Sequence, residues 1–222
     1  MATARALVLL AALTGATAVP LSGSIPIGLE ARREFGRSDF IFPLADSEAE
    51  AENAGTVQPV GVGALPALIG EGASMTLFNV DACAYNLPHT HPRATEILFV
   101  IETAQDDSLM VEFSEENGGR TLSNFIGSGF LTFFPQGLTH FQVNLGCTES
   151  MYISGLNSED GGVITIPSFS VAALDLDAVR VMFTLSEEEA LDLIAGVPAN
   201  PAVGLEECLT RCNITLSDEE GG

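Results

Sequence analysis

The sequence predicts an all-β domain, a sandwich or barrel, with a helical arm at its C-terminal end. Three observations carry this. Short apolar stretches separated by turn residues follow one another from about residue 60. Helical signals are few before about residue 168. The last third then changes character, with a capped helix and two chain-breaking prolines.

The strands come first. Residues 73–80, 96–102, 109–113, 129–134, 140–145 and 150–156 read as strands by length, β-branched and aromatic content, and alternation. Asn117-Gly118-Gly119 and Gly127-Ser128-Gly129 are turn signals between them. Residues 174–183 read as a helix or a strand-to-helix junction. Ser186-Glu-Glu-Glu189 is a capping box ahead of Ala190-Leu-Asp-Leu-Ile194, and Gly196 is its stop. Pro198 and Pro201 break the chain, and a last helix is expected over residues 203–212. Residues 44–53, rich in Ala, Glu and Asp, read as a solvated acidic arm or loop.

The bulk properties bound the rest. A chain of 222 residues with 46% hydrophobic content can bury a substantial core. A net charge of −22 with eight basic residues argues against a nucleic-acid partner, since phosphates could not be neutralised. Arg5, the apolar run 6–13 and the small-x-small site Ala16-Thr-Ala18 read as a secretory signal. That run is too short to span a membrane, and no other stretch is long enough. The expected organisation is a signal peptide over 1–18, an N-terminal arm over 19–57, a barrel over 58–185 and a helical segment over 186–222. The expected location is secreted, extracellular or in a cell wall.

In an oxidising compartment the four cysteines, Cys83, Cys147, Cys208 and Cys212, read as disulfides. Three connectivities are open. Cys83 with Cys147 is favoured because each lies near a histidine motif. Cys208 and Cys212, one helical turn apart, could join only with distortion. Asn213-Ile-Thr215 is a glycosylation sequon.

The chemistry sits in the three histidines, all within two short motifs: Asn86-Leu-Pro-His89-Thr-His91-Pro-Arg-Ala-Thr-Glu96 and Gly129-x5-Pro135-x-Gly137-x2-His140-x3-Asn144. On a strand, His89 and His91 face the same way. Glu96 can return to that pocket from the next strand, and His140 follows a tight turn. Three imidazoles and one carboxylate make a ligand set for a divalent transition metal, with two positions open on a six-coordinate ion. A small carboxylate, dioxygen or superoxide could take them. Zinc would be filled by four ligands; manganese or iron better suits an open mixed site. A single His-x-His is often incidental, but here two motifs use every histidine present.

These motifs resemble those of the cupin superfamily, and specifically germin-like and spherulin-like secreted proteins. The second motif is matched in full. The first is matched at His89, His91 and Glu96, with Thr103 where a glycine is usual, a departure that touches a turn and no ligand. The resemblance covers about residues 60–185. It implies a jelly-roll β-barrel, Mn held by His89, His91, Glu96 and His140 (Fe or Zn as alternatives), secretion, and homo-oligomers built from barrel dimers clasped by helical arms. It also implies an Mn-dependent oxidoreductase of superoxide dismutase or oxalate oxidase type, or a non-enzymatic spherulin-like protein of wall, spore or cyst. A small-molecule binding module is a third reading. Oxalate-oxidising members contact oxalate through two asparagines. Asn86 matches one and is the candidate catalytic residue, with capping of the turn at Pro88 as its bland alternative. Thr76, in Ser74-Met75-Thr76, stands where the other is expected and lacks the amide donor. Asn144 reads as fixing a turn, and Arg93 as a structural ion pair.

Overall fold

A computed structural model describes residues 33–44, 50–52, 54–103 and 105–215. The expected signal peptide lies outside the described residues. Among the described residues, eleven strands form two antiparallel sheets. One runs in the order β1 (Glu50–Glu52), β2 (Gly55–Val60), β3 (Ser74–Val80), β10 (Ser150–Leu156), β5 (Glu96–Glu102), β8 (Leu131–Phe134). The other runs β11 (Ile164–Thr165), β4 (Tyr85–Thr90), β9 (His140–Asn144), β6 (Leu109–Ser114), β7 (Thr121–Ile126). This is the predicted all-β jelly roll.

The alternation in β5 shows how the sequence chooses its faces. Glu96, Leu98 and Val100 are buried, whereas Ile97, Phe99 and Ile101 face out. A one-residue slip would exchange the two sets, so burial fixes the register. Leu98 and Val100 join Val80, Leu109, Val111, Phe134 and Tyr152 in the core between the sheets. Each such side chain contributes about 1.5–3 kcal/mol through burial. Phe78 stacks on Tyr152 with centroids 4.8 Å apart. Glu96 therefore stands at one end of an apolar column, with its own side chain among buried atoms.

Five strands differ from expectation. β2 crosses the expected boundary at residue 58, and residues 50–52, read as an acidic loop, pair with β2 as an edge strand. β7, mostly exposed, carries no apolar alternation that its sequence could announce. β4 holds Pro88 where the β4–β9 register shifts, between Asn86 and His89. A proline is tolerated in a strand at such an irregularity. β11 is two residues long.

The arm contains α1 (Leu176–Phe183), α2 (Glu187–Ala195) and α3 (Glu206–Arg211). Ser186 and Glu189 form the expected capping box of α2, and three glutamates in its first turn complement the helix dipole. Val171, Val179 and Ala190 make a second small core beside the barrel.

The disulfides correct the expected pairing. Cys83 joins Cys208 and Cys147 joins Cys212. Cys83 and Cys147 are indeed close, since Cys83 N–H donates to the Gly146 carbonyl. However, α3 lies over both turns, and Cys208 and the C-cap residue Cys212, four residues apart, share one helix face. Each turn cysteine thus takes a partner from the helix, and the arm is stapled to the barrel at two points. Asn144 fixes the same end, as expected. Its amide donates to the carbonyls of Val80, Asp81 and Thr148 and accepts from Gly146 N–H.

Candidate metal centre

The two histidine motifs meet at the end of the barrel opposite the disulfides. His89 on β4 and His140 on β9 are direct cross-strand partners, with ring centroids 4.3 Å apart. His91 lies just past the end of β4. Gly137, at φ +78°, makes the left-handed turn before His140, and its N–H donates to the His91 carbonyl. Gln136 reaches the Pro92 carbonyl. The motifs are thereby bound to each other through backbone. Phe134 stacks on the His140 ring at 4.3 Å and fixes its plane.

The four side chains converge: one ligand-type atom from each of His89, His91, Glu96 and His140 lies within 4.8 Å of the others. Each histidine turns Nδ1 to a backbone carbonyl: Leu87 for His89, Gly162 for His91 and Leu138 for His140. A neutral imidazole donates one hydrogen only. With Nδ1–H on a carbonyl, every Nε2 presents a lone pair. Yet Nε2 of His91 and of His140 lie 2.9 and 3.1 Å from Glu96 Oε2. Lone pairs facing a carboxylate oxygen at that range repel unless a proton or a cation stands among them. The arrangement therefore fits a divalent ion held by three imidazoles and a carboxylate.

In the metal-free protein a proton takes that place: burial by itself would push the Glu96 carboxyl up, but hydrogen bonds from the His140 and His91 rings override it and hold Glu96 well below the usual range. Burial, with repulsion from His140, lowers His89 to about 4, so it stays neutral. Burial also works to lower His91, but hydrogen bonding to Glu96 outweighs it and the net shift is upward. Glu96 Oε1 accepts from Ser154 Oγ at 2.6 Å. Ser154→Ala leaves that oxygen unpartnered, and metal affinity should fall about tenfold. Titration calorimetry checks this; unchanged affinity would remove Ser154 from the account.

A pH dependence follows for the metal-free protein. His89 titrates near 4 in the fold and near 6.5 when exposed, so the unfolded chain takes up its proton first. Its contribution is complete above pH 6.5 and is lost as pH falls to about 4, up to roughly 3 kcal/mol. Urea unfolding at pH 7 and pH 4.5 should show this slope, reduced in His89→Gln. Equal slopes in the two proteins would contradict it.

A cavity of about 280 Å³ opens beside the cluster. Its lining includes His89, His91 and Glu96, the polar Thr76, Asn86 and Asn200, and an apolar wall that contains Phe78 and Val163. Thr76 pairs with Ser154 across β3 and β10. Asn86 lines the cavity, but its polar atoms are engaged within the protein and not at the Pro88 turn. Its Nδ2 donates to Gln142 Oε1 at 2.6 Å, and its Oδ1 accepts from Asn200 Nδ2 at 2.8 Å. Arg93 makes the expected ion pair, with Asp160 at 2.8 Å, on the loop that carries the Gly162 carbonyl. Thr103, off the usual motif, has no positive φ and accepts its turn without strain; its N–H donates to Ser128 Oγ.

Three residues at this site escaped sequence reasoning. Ser154 and Gln142 follow the inward alternation of β10 and β9, a signal that could have found them. Asn200 carries no such signal.

The model of the cupin family matches residues 44–191. Spherulin-1B of Physarum polycephalum is 39% identical over 155 residues, covering 69% of this chain and 60% of that protein. Germin-like protein 4-1 of Oryza sativa subsp. japonica is 36% identical over 174 residues, covering 74% and 66%. The match thus spans about three-fifths of the spherulin's length. Among solved structures, an oxalate oxidase in complex with the substrate analogue glycolate aligns with TM-score 0.63 and 25% identity over 70% of this chain and 79% of that one. A recombinant oxalate oxidase with glycolate aligns with TM-score 0.68 over 82% and 90%; at 24% identity it speaks for the fold.

Proposed function

Because the chain belongs to the cupin family, we propose that it is a secreted manganese protein, with His89, His91, Glu96 and His140 as ligands, that acts as an oxidoreductase on superoxide or a small carboxylate. The observation that carries the metal reading is the convergence of the three imidazoles and Glu96, with Nε2 of His91 and of His140 facing one carboxylate oxygen at 2.9 and 3.1 Å. Manganese would supply Lewis acidity and one-electron redox chemistry. The mixed N/O set and the adjoining cavity favour an ion with open positions over tetrahedral zinc, with iron as the alternative.

The chain's own residues have distinct tasks. The carbonyls of Leu87, Gly162 and Leu138 hold the imidazoles in one tautomer. Ser154 orients the Glu96 carboxylate. Phe78 and Val163 contribute the cavity's apolar wall, and Thr76 and Asn86 its polar wall.

A second reading, a non-enzymatic spherulin-like protein of a wall, spore or cyst, is favoured by two observations: the likeness to spherulins, and threonine at position 76. Peroxide release from oxalate and superoxide consumption by the manganese-loaded protein decide between them. Either turnover supports the enzyme and selects its substrate; neither supports the second reading. A change in melting temperature on adding a small carboxylate, without turnover, would point to a binding module.

Two disulfides support an extracellular setting. Among the described residues no helix is long and apolar enough to cross a membrane. Ile97, Phe99, Leu131 and Phe133 on the outer sheet face, with Val181 and Met182 on α1, are exposed and apolar. They support assembly into homo-oligomers through these faces.

A further inference from the structure

We infer that Asn200, delivered by the disulfide-stapled arm, is a positioning residue for both His89 and Asn86. The inference rests on the reading of His89 as a metal ligand. Residues 200–202 run beside the first half of β4. Tyr85 and Ala202 exchange both backbone hydrogen bonds at 2.8 Å, which brings Asn200 level with Leu87. Asn200 Oδ1 accepts from Leu87 N–H at 2.6 Å, while the Leu87 carbonyl accepts from His89 Nδ1 at 2.7 Å. One residue, Leu87, is therefore held through its N–H by the arm and through its carbonyl holds a candidate ligand.

The same contact sets the polarity of a chain of amides. A backbone N–H only donates, so Asn200 must turn its oxygen to Leu87. Its Nδ2 is then left to donate to Asn86 Oδ1. Asn86 must in turn point Nδ2 at Gln142 Oε1, which also accepts from Tyr152 OH at 3.4 Å. Asn86, Gln142 and Tyr152 are almost wholly buried, so a reversed amide among them would leave like groups facing each other without water to relieve it. Asn200 thus decides which atoms Asn86 keeps engaged beside the cavity. It does so from 114 residues away, through a segment outside the barrel.

The test uses the full chain with its disulfides intact. In the metal-free protein at pH 7, the ring nitrogens of wild-type His89 should give the shifts of a single Nδ1–H tautomer. In Asn200→Ala they should move toward a mixture, and the affinity for Mn²⁺ should fall about three- to tenfold, less than the loss expected for a direct partner of a ligand. Asn200→Asp retains the acceptor for Leu87 but not the donor to Asn86. It should keep the wild-type His89 signals while shifting the Asn86 side-chain amide. Leu209→Ala, which loosens α3 elsewhere, should lower the melting temperature without moving His89. Wild-type His89 signals in Asn200→Ala, or the same change in Leu209→Ala, would overturn the proposal. The nitrogen shifts are read without metal, so a wild-type protein that binds no Mn²⁺ would sink the metal reading alone.

Discussion

Replacing His140 with alanine should lower the affinity for Mn²⁺ by more than about 100-fold, because it removes a ligand and not merely a ligand's support. The loss has two parts. One imidazole donor disappears, and Glu96 loses the Nε2 neighbour 3.1 Å from its Oε2, which helps hold its carboxylate ionised. His140 is also packed against Phe134, so truncation of a buried ring adds a stability cost of about 2–4 kcal/mol. His91→Ala separates the two effects, since that side chain is partly exposed and stacks on no core residue. Both variants should retain the β circular-dichroism spectrum, and both should lose the metal. Full occupancy in either, measured by elemental analysis after dialysis, would contradict the ligand assignment.

Reduction of the disulfides should lower the melting temperature by about 10 °C or more. The bonds close loops of 125 and 65 residues. In the chain-entropy account each restricts the unfolded chain by about 4–5 kcal/mol, and because the loops overlap the pair contributes less than the sum. For a chain of this size each kcal/mol corresponds to about 2–4 °C. The effect is also local. Without the staples, α3 keeps Leu209 as its buried apolar anchor, and the Tyr85–Ala202 pair and the Asn200 side-chain hydrogen bonds tie the arm to β4. Amide exchange at Tyr85 and Ala202 should therefore accelerate before the barrel opens. The combined Cys208→Ser and Cys212→Ser protein should behave as the reduced one does. A melting temperature unchanged by reduction, or peptide mapping that joins Cys83 to Cys147, would contradict the pairing.

The site was legible because its information is local. A His-x-His on one strand, a carboxylate at the start of the next, and a proline–glycine turn set before a third histidine fix their geometry within a few residues. Strands with strong alternation, such as β5 and β10, were legible for the same reason. β7 was not, because an edge strand with an exposed surface needs no apolar period. β2 and β4 were obscured by Pro59 and Pro88, which the fold accommodates. The disulfide pairing depends on where α3 docks, and proximity to the motifs, though real for Cys83 and Cys147, could not reveal the helix lying across both. Asn200 is the clearest case. Its role arises from docking of the arm along β4, and nothing within reach of residue 200 in sequence specifies Leu87 or Asn86 as its neighbours.

The central claim is a single metal centre built by His89, His91, Glu96 and His140. Its most direct test is elemental analysis of the purified protein, combined with pulsed electron paramagnetic resonance of the manganese-loaded form to count coupled imidazole nitrogens. The account predicts one manganese per chain coupled to three imidazoles. A protein that retains no divalent ion and takes up none from added Mn²⁺, Fe²⁺ or Zn²⁺ would contradict it.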